Sequence, residues 1–174
     1  MPDIAIHCTY DKLVATDSLQ GNPANPNKHP EEQIRLLKKI IRQQGWRQPI
    51  KVSELSGYVV SGHARLQAAK ELGIKEVPVD YQPYDCKALE EADLLADNRL
   101  AALAENDLPS LKNMLEGIDT GLLESLGADM DITGYTEQAM ADLMSQFHVE
   151  PDITEDEPPE PPKVAVSRLG DCWI

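Results

Sequence analysis

No run of apolar residues in this 174-residue chain approaches the roughly 20 that a membrane-spanning helix needs. Met1 does not open a basic and then hydrophobic leader either, so no membrane association is expected. Cysteine is scarce. Cys8, Cys86 and Cys172 are odd in number and scattered, without the paired spacing of a zinc site or a disulfide framework. That usage fits a reducing, cytoplasmic setting. Internal repeats are missing. Basic residues are few as well, 16 Lys and Arg against 30 Asp and Glu, and the net charge of -14 looks hostile to nucleic acid.

The distribution of charge matters more than its sum. Residues 1–82 hold 11 Lys and Arg against 9 Asp and Glu, a balance of +2, so the rest of the chain carries -16. Lys38, Lys39, Arg42, Arg47 and Lys51 lie close together in the front half. Such asymmetry suggests a binding module followed by a solubilising or spacing segment, with a merely solvated helix face as the alternative for the lysines.

The most informative stretch is Tyr58 to Gly73. Tyr58, Val59 and Val60 favour a strand, Ser61 and Gly62 a tight turn, and Leu66, Ala69 and Leu72 recur at helical spacing before Gly73 stops the run. A helix opening straight off a strand aims its free amides, with partial positive charge, at one spot. His63 and Arg65 sit in that first turn and add side-chain donors. The arrangement suits an anion, most simply a phosphate. The plainer alternative is an ordinary strand-turn-helix whose His and Arg are solvated.

Elsewhere, residues 4–7 and 12–16 read as short strands, and Gly21 to Pro30 as a loop dense in Pro and Asn. A helix is expected over about 31–44, Ile34, Leu37 and Ile41 forming its apolar stripe and Gly45 its end. Strands are expected at 49–52, 57–61 and 76–80, with a turn around Ser56-Gly57. A long helix should run from Lys87 to Glu105 with Leu89, Ala92, Ala96, Leu100 and Leu103 inward. Further helices are expected at about 108–116, 120–126 and 137–147, Thr136 starting the last. Alternating strands and helices indicate an α+β fold built on a small mixed sheet. From Glu150 to Pro162, prolines alternate with Asp and Glu, the composition of a disordered linker.

Taken in order, Asn25-Pro26-Asn27-x-His29, Gln33, Trp46-x-x-Pro49-Ile50, Val59 to Arg65, and Ala96-Asp97-Asn98-Arg99 resemble the N-terminal domain of the ParB/sulfiredoxin superfamily. The likeness runs from about Thr16 to Leu103 and is nearer to the ParB-like domains of phage and mobile-element DNA-modification proteins. The resemblance implies a ParB-like domain over residues 1–106, a helical extension over 107–148, an acidic Pro-rich linker over 149–163 and the start of a further domain over 164–174. Val166 to Ile174 resembles the opening of an amino-methyltransferase domain, although no Asp-Pro-Pro-Tyr and no Gly-rich cofactor loop is present.

The same resemblance implies a phosphate or nucleotide site formed by Ser61, Gly62, His63, Ala64 and Arg65, with Asp97, Asn98 and Arg99 facing it. A nucleoside triphosphate, CTP or ATP with Mg²⁺, is the implied ligand. Two departures stand out. Chromosome-partition members carry an acid and a second Arg where His63 and Ala64 stand, and their downstream helix-turn-helix pattern is missing. The sulfiredoxin branch needs a thiolate in the turn, which this chain lacks.

Three functions compete on this reading. The first is a DNA- and nucleotide-binding module, with Lys38, Lys39, Arg42 and Arg47 as DNA contacts. The second is a nuclease or nucleotide hydrolase using His63 as acid or base, Arg65 for phosphate charge, and Asp97 or Glu31 toward a metal. His63 as a hydrogen-bonded cap is the plainer alternative. The third is a protein-interaction domain in which the acidic helices after Asp107 meet a basic partner, unless Leu108, Leu111, Met114, Leu115, Leu122, Leu123, Leu126 and Met140 simply complete the core.

Overall fold

A computed structural model describes residues 4–147. The linker expected over 149–163 and the domain start expected over 164–174 lie outside the described residues. The chain forms a five-stranded mixed sheet with helices, in the spatial order β1-β5-β3-β4-β2. The strands are β1 (Lys12–Ala15), β2 (Gln20–Gly21), β3 (Ile50–Ser53), β4 (Tyr58–Ser61) and β5 (Glu76–Gln82). The pairings β1/β5 and β3/β4 are antiparallel, while β3/β5 and β2/β4 are parallel.

Two strand expectations shift. Residues 4–7 contribute one bridge, Ile6 to Trp46, rather than a strand. In exchange, Gln20 and Gly21 pair with the β4 edge. A two-residue edge strand has no periodicity to betray it.

The helix α1 (Glu31–Gln44) packs on α2 (His63–Leu72), and both cover the sheet. Ile34 and Ile41 of α1, Leu66, Ala69 and Leu72 of α2, and Ile50, Val59, Val77 and Val79 of the sheet make the core. Each large aliphatic buried there contributes on the order of 1.5–3 kcal/mol. The edge is tied down by Thr16, whose Oγ1 donates to the Ile74 carbonyl at 2.6 Å.

The long helix α3 (Lys87–Leu103) rests against β4. Its inward face is not the expected one. Leu89, Ala92, Ala96, Leu100 and Leu103 are exposed, and Glu90 and Leu94 are buried instead. A polar requirement decides the rotation: Glu90 accepts from Ser53 Oγ at 2.6 Å and Ser56 Oγ at 2.8 Å, pinning the helix over the β3–β4 turn.

The extension comprises α4 (Leu108–Glu116), α5 (Thr120–Ser125) and α6 (Glu137–Ser145), the last capped by Thr136 Oγ1 as expected. Its leucines do not join the main core. Leu115 and Leu143 are buried locally, whereas Leu108, Met114, Leu122 and Leu126 stay exposed. Polar contacts dock it on α1: Lys39 reaches Asp129 and Asp131, Gln43 Nε2 donates to the Gly127 carbonyl, and Gln44 Nε2 to that of Ile132. No helix among the described residues is long and apolar enough to cross a membrane.

Candidate functional site

The strand β4 hands over to α2 through one residue, Gly62, at φ +98°. A side chain is strained in that left-handed region, and here it would also crowd Arg65, because an added Cβ would lie 3.1 Å from both Nε and Nη2. The turn therefore lays Arg65 back over its own helix N-terminus. No side chain caps α2, and its first intrahelical bond runs from Leu66 N to the Gly62 carbonyl. The amides of His63, Ala64 and Arg65 thus precede the helical ladder and point outward.

These groups form the floor of an open cavity of about 290 Å³, lined by Ser61, Gly62, His63, Ala64, Arg65, Asp97 and Asn98 together with Asn25, His29, Leu37 and Gln48. Seven of the eight residues expected at the site on sequence grounds therefore line one space. Arg99 does not line it and is exposed, since the next residue along a helix turns about 100° away from Asn98. Glu31 is not at the cavity either. Asn25, His29 and Gln48 are additional. They come from segments remote in sequence: Asn25 and His29 belong to the Asn-Pro-Asn-x-His stretch, while Gln48 falls on an unspecified position of Trp46-x-x-Pro49-Ile50.

Among the described residues Arg65 has one polar partner, since Nη1 donates to Gln48 Oε1. Its Nε is buried and has no acceptor among the described residues, and the buried His29 Nε2 likewise has no partner among them. A guanidinium stays protonated and cannot discard the unmet donor. Burial pulls Arg65 down from its ordinary value, opposed by Asp97 and Cys8. Asp97 forms no ion pair with it within 4 Å, and instead accepts from Ser61 Oγ at 2.9 Å. Cys8, remote in sequence, is thus a thiol whose charge would be felt at Arg65, but burial raises it toward the neutral form.

His63 is engaged otherwise than expected of an acid–base residue. Its Nε2 accepts the Asn22 amide at 3.2 Å. Burial holds it below the ordinary imidazole value, the neighbouring His29 adds to this, and a backbone bond to Val59 partly opposes it. The ring is therefore neutral near pH 7.

The four basic residues proposed as DNA contacts separate into two pairs. Lys38 binds Glu71 at 2.6 Å, and Lys39 is held by Asp129 and by Asp131 at 2.8 Å. Arg42 and Arg47 are exposed and, among the described residues, take part in no ion pair. No group of three or more His, Cys, Asp or Glu among the described residues is arranged to hold a metal ion. A second cavity of about 370 Å³ lies in the acidic extension, between Thr120 and Met140. It shares no lining residue with the cavity at the β4–α2 turn.

Residues 7–98 match the family model of the ParB N-terminal domain. Among curated proteins, the ParB-like nuclease domain-containing protein YnaK of Escherichia coli K12 is 38% identical over 55 residues, 32% of this chain and 62% of its own length. The chain thus spans under two thirds of that relative. Among solved structures, the C-terminally truncated chromosome-partitioning protein ParB from Caulobacter crescentus, complexed with CTP-gamma-S, superposes with a TM-score of 0.51 at 22% identity. That match covers 78% of this chain and 85% of the other. Sulfiredoxin from Arabidopsis thaliana gives 0.41 at 22% identity, covering 48% and 94%.

Proposed function

The chain belongs to the ParB N-terminal domain family, and from that premise we propose that it is a nucleotide- and DNA-binding module whose phosphate site is the cavity at the β4–α2 turn. The observation that carries this reading is the buried Arg65 Nε with no acceptor. A buried donor left unmet costs about 1–3 kcal/mol, and more when charged, so turning the guanidinium toward a phosphate oxygen in the cavity relieves a penalty the fold otherwise sustains. The uncapped amides of α2 and its dipole act in the same direction.

The residues fit a nucleoside triphosphate. Arg65 and the amides supply donors to phosphate, and Asn25, Asn98 and Gln48 supply further polar groups to the lining. The volume, near the lower end of ligand pockets, suits a phosphate chain rather than a whole nucleotide enclosed. A magnesium ion arriving with the nucleotide would offset phosphate charge, and Asp97 is the one carboxylate among the lining residues that could share it. The Caulobacter relative is complexed with a CTP analogue, which favours CTP as the first nucleotide to try.

A binding role is preferred to hydrolysis. His63 spends its accepting nitrogen on Asn22, and a single carboxylate at the cavity falls short of the converging set that metal-dependent nucleases use. We also propose that the module serves a DNA-modification system, ahead of a methyltransferase domain, because of the resemblance of Val166 to Ile174 and the acidic Pro-rich segment before them.

Calorimetric titration with CTP, ATP, GTP and S-adenosylmethionine, repeated on Arg65→Ala, tests the site. Saturable binding of a triphosphate that the substitution abolishes is expected. Equal binding by both proteins, or none by the unaltered one, refutes it.

A further inference from the structure

We propose that His63 is the positioning residue of this site: by accepting the Asn22 amide it fixes the segment that brings Asn25 and His29 to the cavity. The inference rests on reading the cavity as an anion site. Its evidence is a chain of bonds that joins all three walls. Asn22, nearly buried, is gripped from α2 by His63 Nε2 at 3.2 Å. Its Oδ1 then accepts Ala24 N at 2.9 Å, and its carbonyl accepts Asn25 N at 3.1 Å, which sets the turn. Asn25 Oδ1 in turn accepts from Asn98 Nδ2 of α3 at 3.4 Å. Four residues later in the chain, His29 sits at the cavity with Nδ1 3.0 Å from Gln33 Oε1 of α1.

The imidazole is thus the only side chain of the α2 turn bonded to the 22–30 segment among the described residues. It also packs close to Gly21, where a Cβ would stand 3.5 Å from His63 Cδ2. An acceptor facing a backbone amide must be an unprotonated nitrogen, so the grip needs the neutral ring. Protonation would oppose two N–H groups across the same gap and release the segment. Phosphate binding through a direct His63 cation would respond in the opposite direction, strengthening as the ring charges. The sign of the pH response therefore separates positioning from contact.

The test uses the full chain, unaltered and as His63→Gln and His63→Ala, titrated with inorganic triphosphate and with CTP. Measurements run from neutrality to well below the ordinary imidazole value, because burial holds the His63 ring under that value. Gln offers a neutral acceptor at similar reach. Subtracting its response removes pH effects that do not pass through His63, those of the ligand and of the other charged groups at the cavity, His29, Arg65 and Asp97, included. At neutrality His63→Ala should bind roughly five- to tenfold more weakly, the loss of about one hydrogen bond's worth of ordering, and His63→Gln should recover most of it. On acidification the unaltered protein should lose affinity relative to His63→Gln.

Nitrogen NMR of the imidazole supplies a readout independent of ligand, with Nε2 expected unprotonated in the unaltered protein and the amides of Asn22, Ala24 and Asn25 expected to shift in His63→Ala. Tighter binding of the unaltered protein on acidification relative to His63→Gln, or failure of Gln to rescue, overturns the positioning role. If the ring proves protonated at Nε2 while triphosphate still binds, this inference falls and the site stands. If no anion binds while Nε2 is seen accepting, the site itself falls and takes the role with it.

Discussion

Arg65 lies folded against Gly62 so closely that a methyl group at 62 would touch both Nε and Nη2 at 3.1 Å. The glycine thereby serves the backbone and the guanidinium together. Gly62→Ala is expected to lose about 1–2 kcal/mol of stability from the left-handed backbone alone. Displacing the guanidinium should weaken triphosphate binding about tenfold as well, if roughly one charge-assisted hydrogen bond is lost. Chemical denaturation and calorimetry separate the two effects. A variant that is destabilised yet binds normally would show that Arg65 does not need the bare turn.

That corner was legible in the sequence because it is local. Tyr58 to Gly73 carries its strand, its turn and its helix within one short stretch, and the structure places them at Tyr58–Ser61 and His63–Leu72. The face of α3 was not legible. Leu89, Leu100 and Leu103 repeat at helical spacing and still face outward, because α3 has apolar residues on more than one side. What selects the buried side is Glu90, whose partners Ser53 and Ser56 belong to another strand and turn. A buried carboxylate cannot be foreseen without the neighbours that satisfy it. Likewise Asn25, His29 and Gln48 meet Arg65 only through the topology of the sheet.

Glu90 should consequently be worth more than any of the exposed leucines on the same helix. Glu90→Ala leaves the Ser53 hydroxyl without its acceptor in a fully buried position and is expected to cost about 1–3 kcal/mol or more. Glu90→Gln, which keeps one carbonyl acceptor, should fall between that variant and the parent. Leu100→Ala, on an exposed position, should change stability by under about 0.5 kcal/mol. Urea denaturation of the three variants would expose an error if Leu100→Ala proved the most damaging.

The acidic extension is held to α1 by Lys39, with Asp129 and Asp131 on the other side. The bond to Lys39 lowers the Asp129 carboxyl below its ordinary value. A depressed acid stabilises the contact above the ordinary carboxylate range, and the contribution disappears as pH falls through the depressed value. Asp129 is exposed and Lys39 half-buried, so salt should weaken the contact too. Hydrogen exchange at residues 127–133 is expected to quicken with acid, with added salt and in an Asp129→Asn, Asp131→Asn double variant. Unchanged protection in all three would mean that the Gln43 and Gln44 bonds to backbone carbonyls hold the extension by themselves.

The same ion pairs rank the cations available to DNA. Lys38 and Lys39 are already neutralised by Glu71, Asp129 and Asp131, and a phosphate must displace those carboxylates before it gains either lysine. Arg42 and Arg47 are exposed and carry no such competitor among the described residues. Reversing the two arginines to Glu should therefore weaken duplex binding more than reversing the two lysines. Every DNA phosphate that is deprived of its cation should lower the slope of log affinity against log salt by about 0.9. For an arginine pair that neutralises two phosphates, the parent slope should exceed the variant's by roughly 2. Against a net charge of -14, binding should be detectable only at low salt. Filter binding across a salt series decides the matter: equal slopes for the parent and the arginine variant would remove this surface as the place where DNA meets the domain.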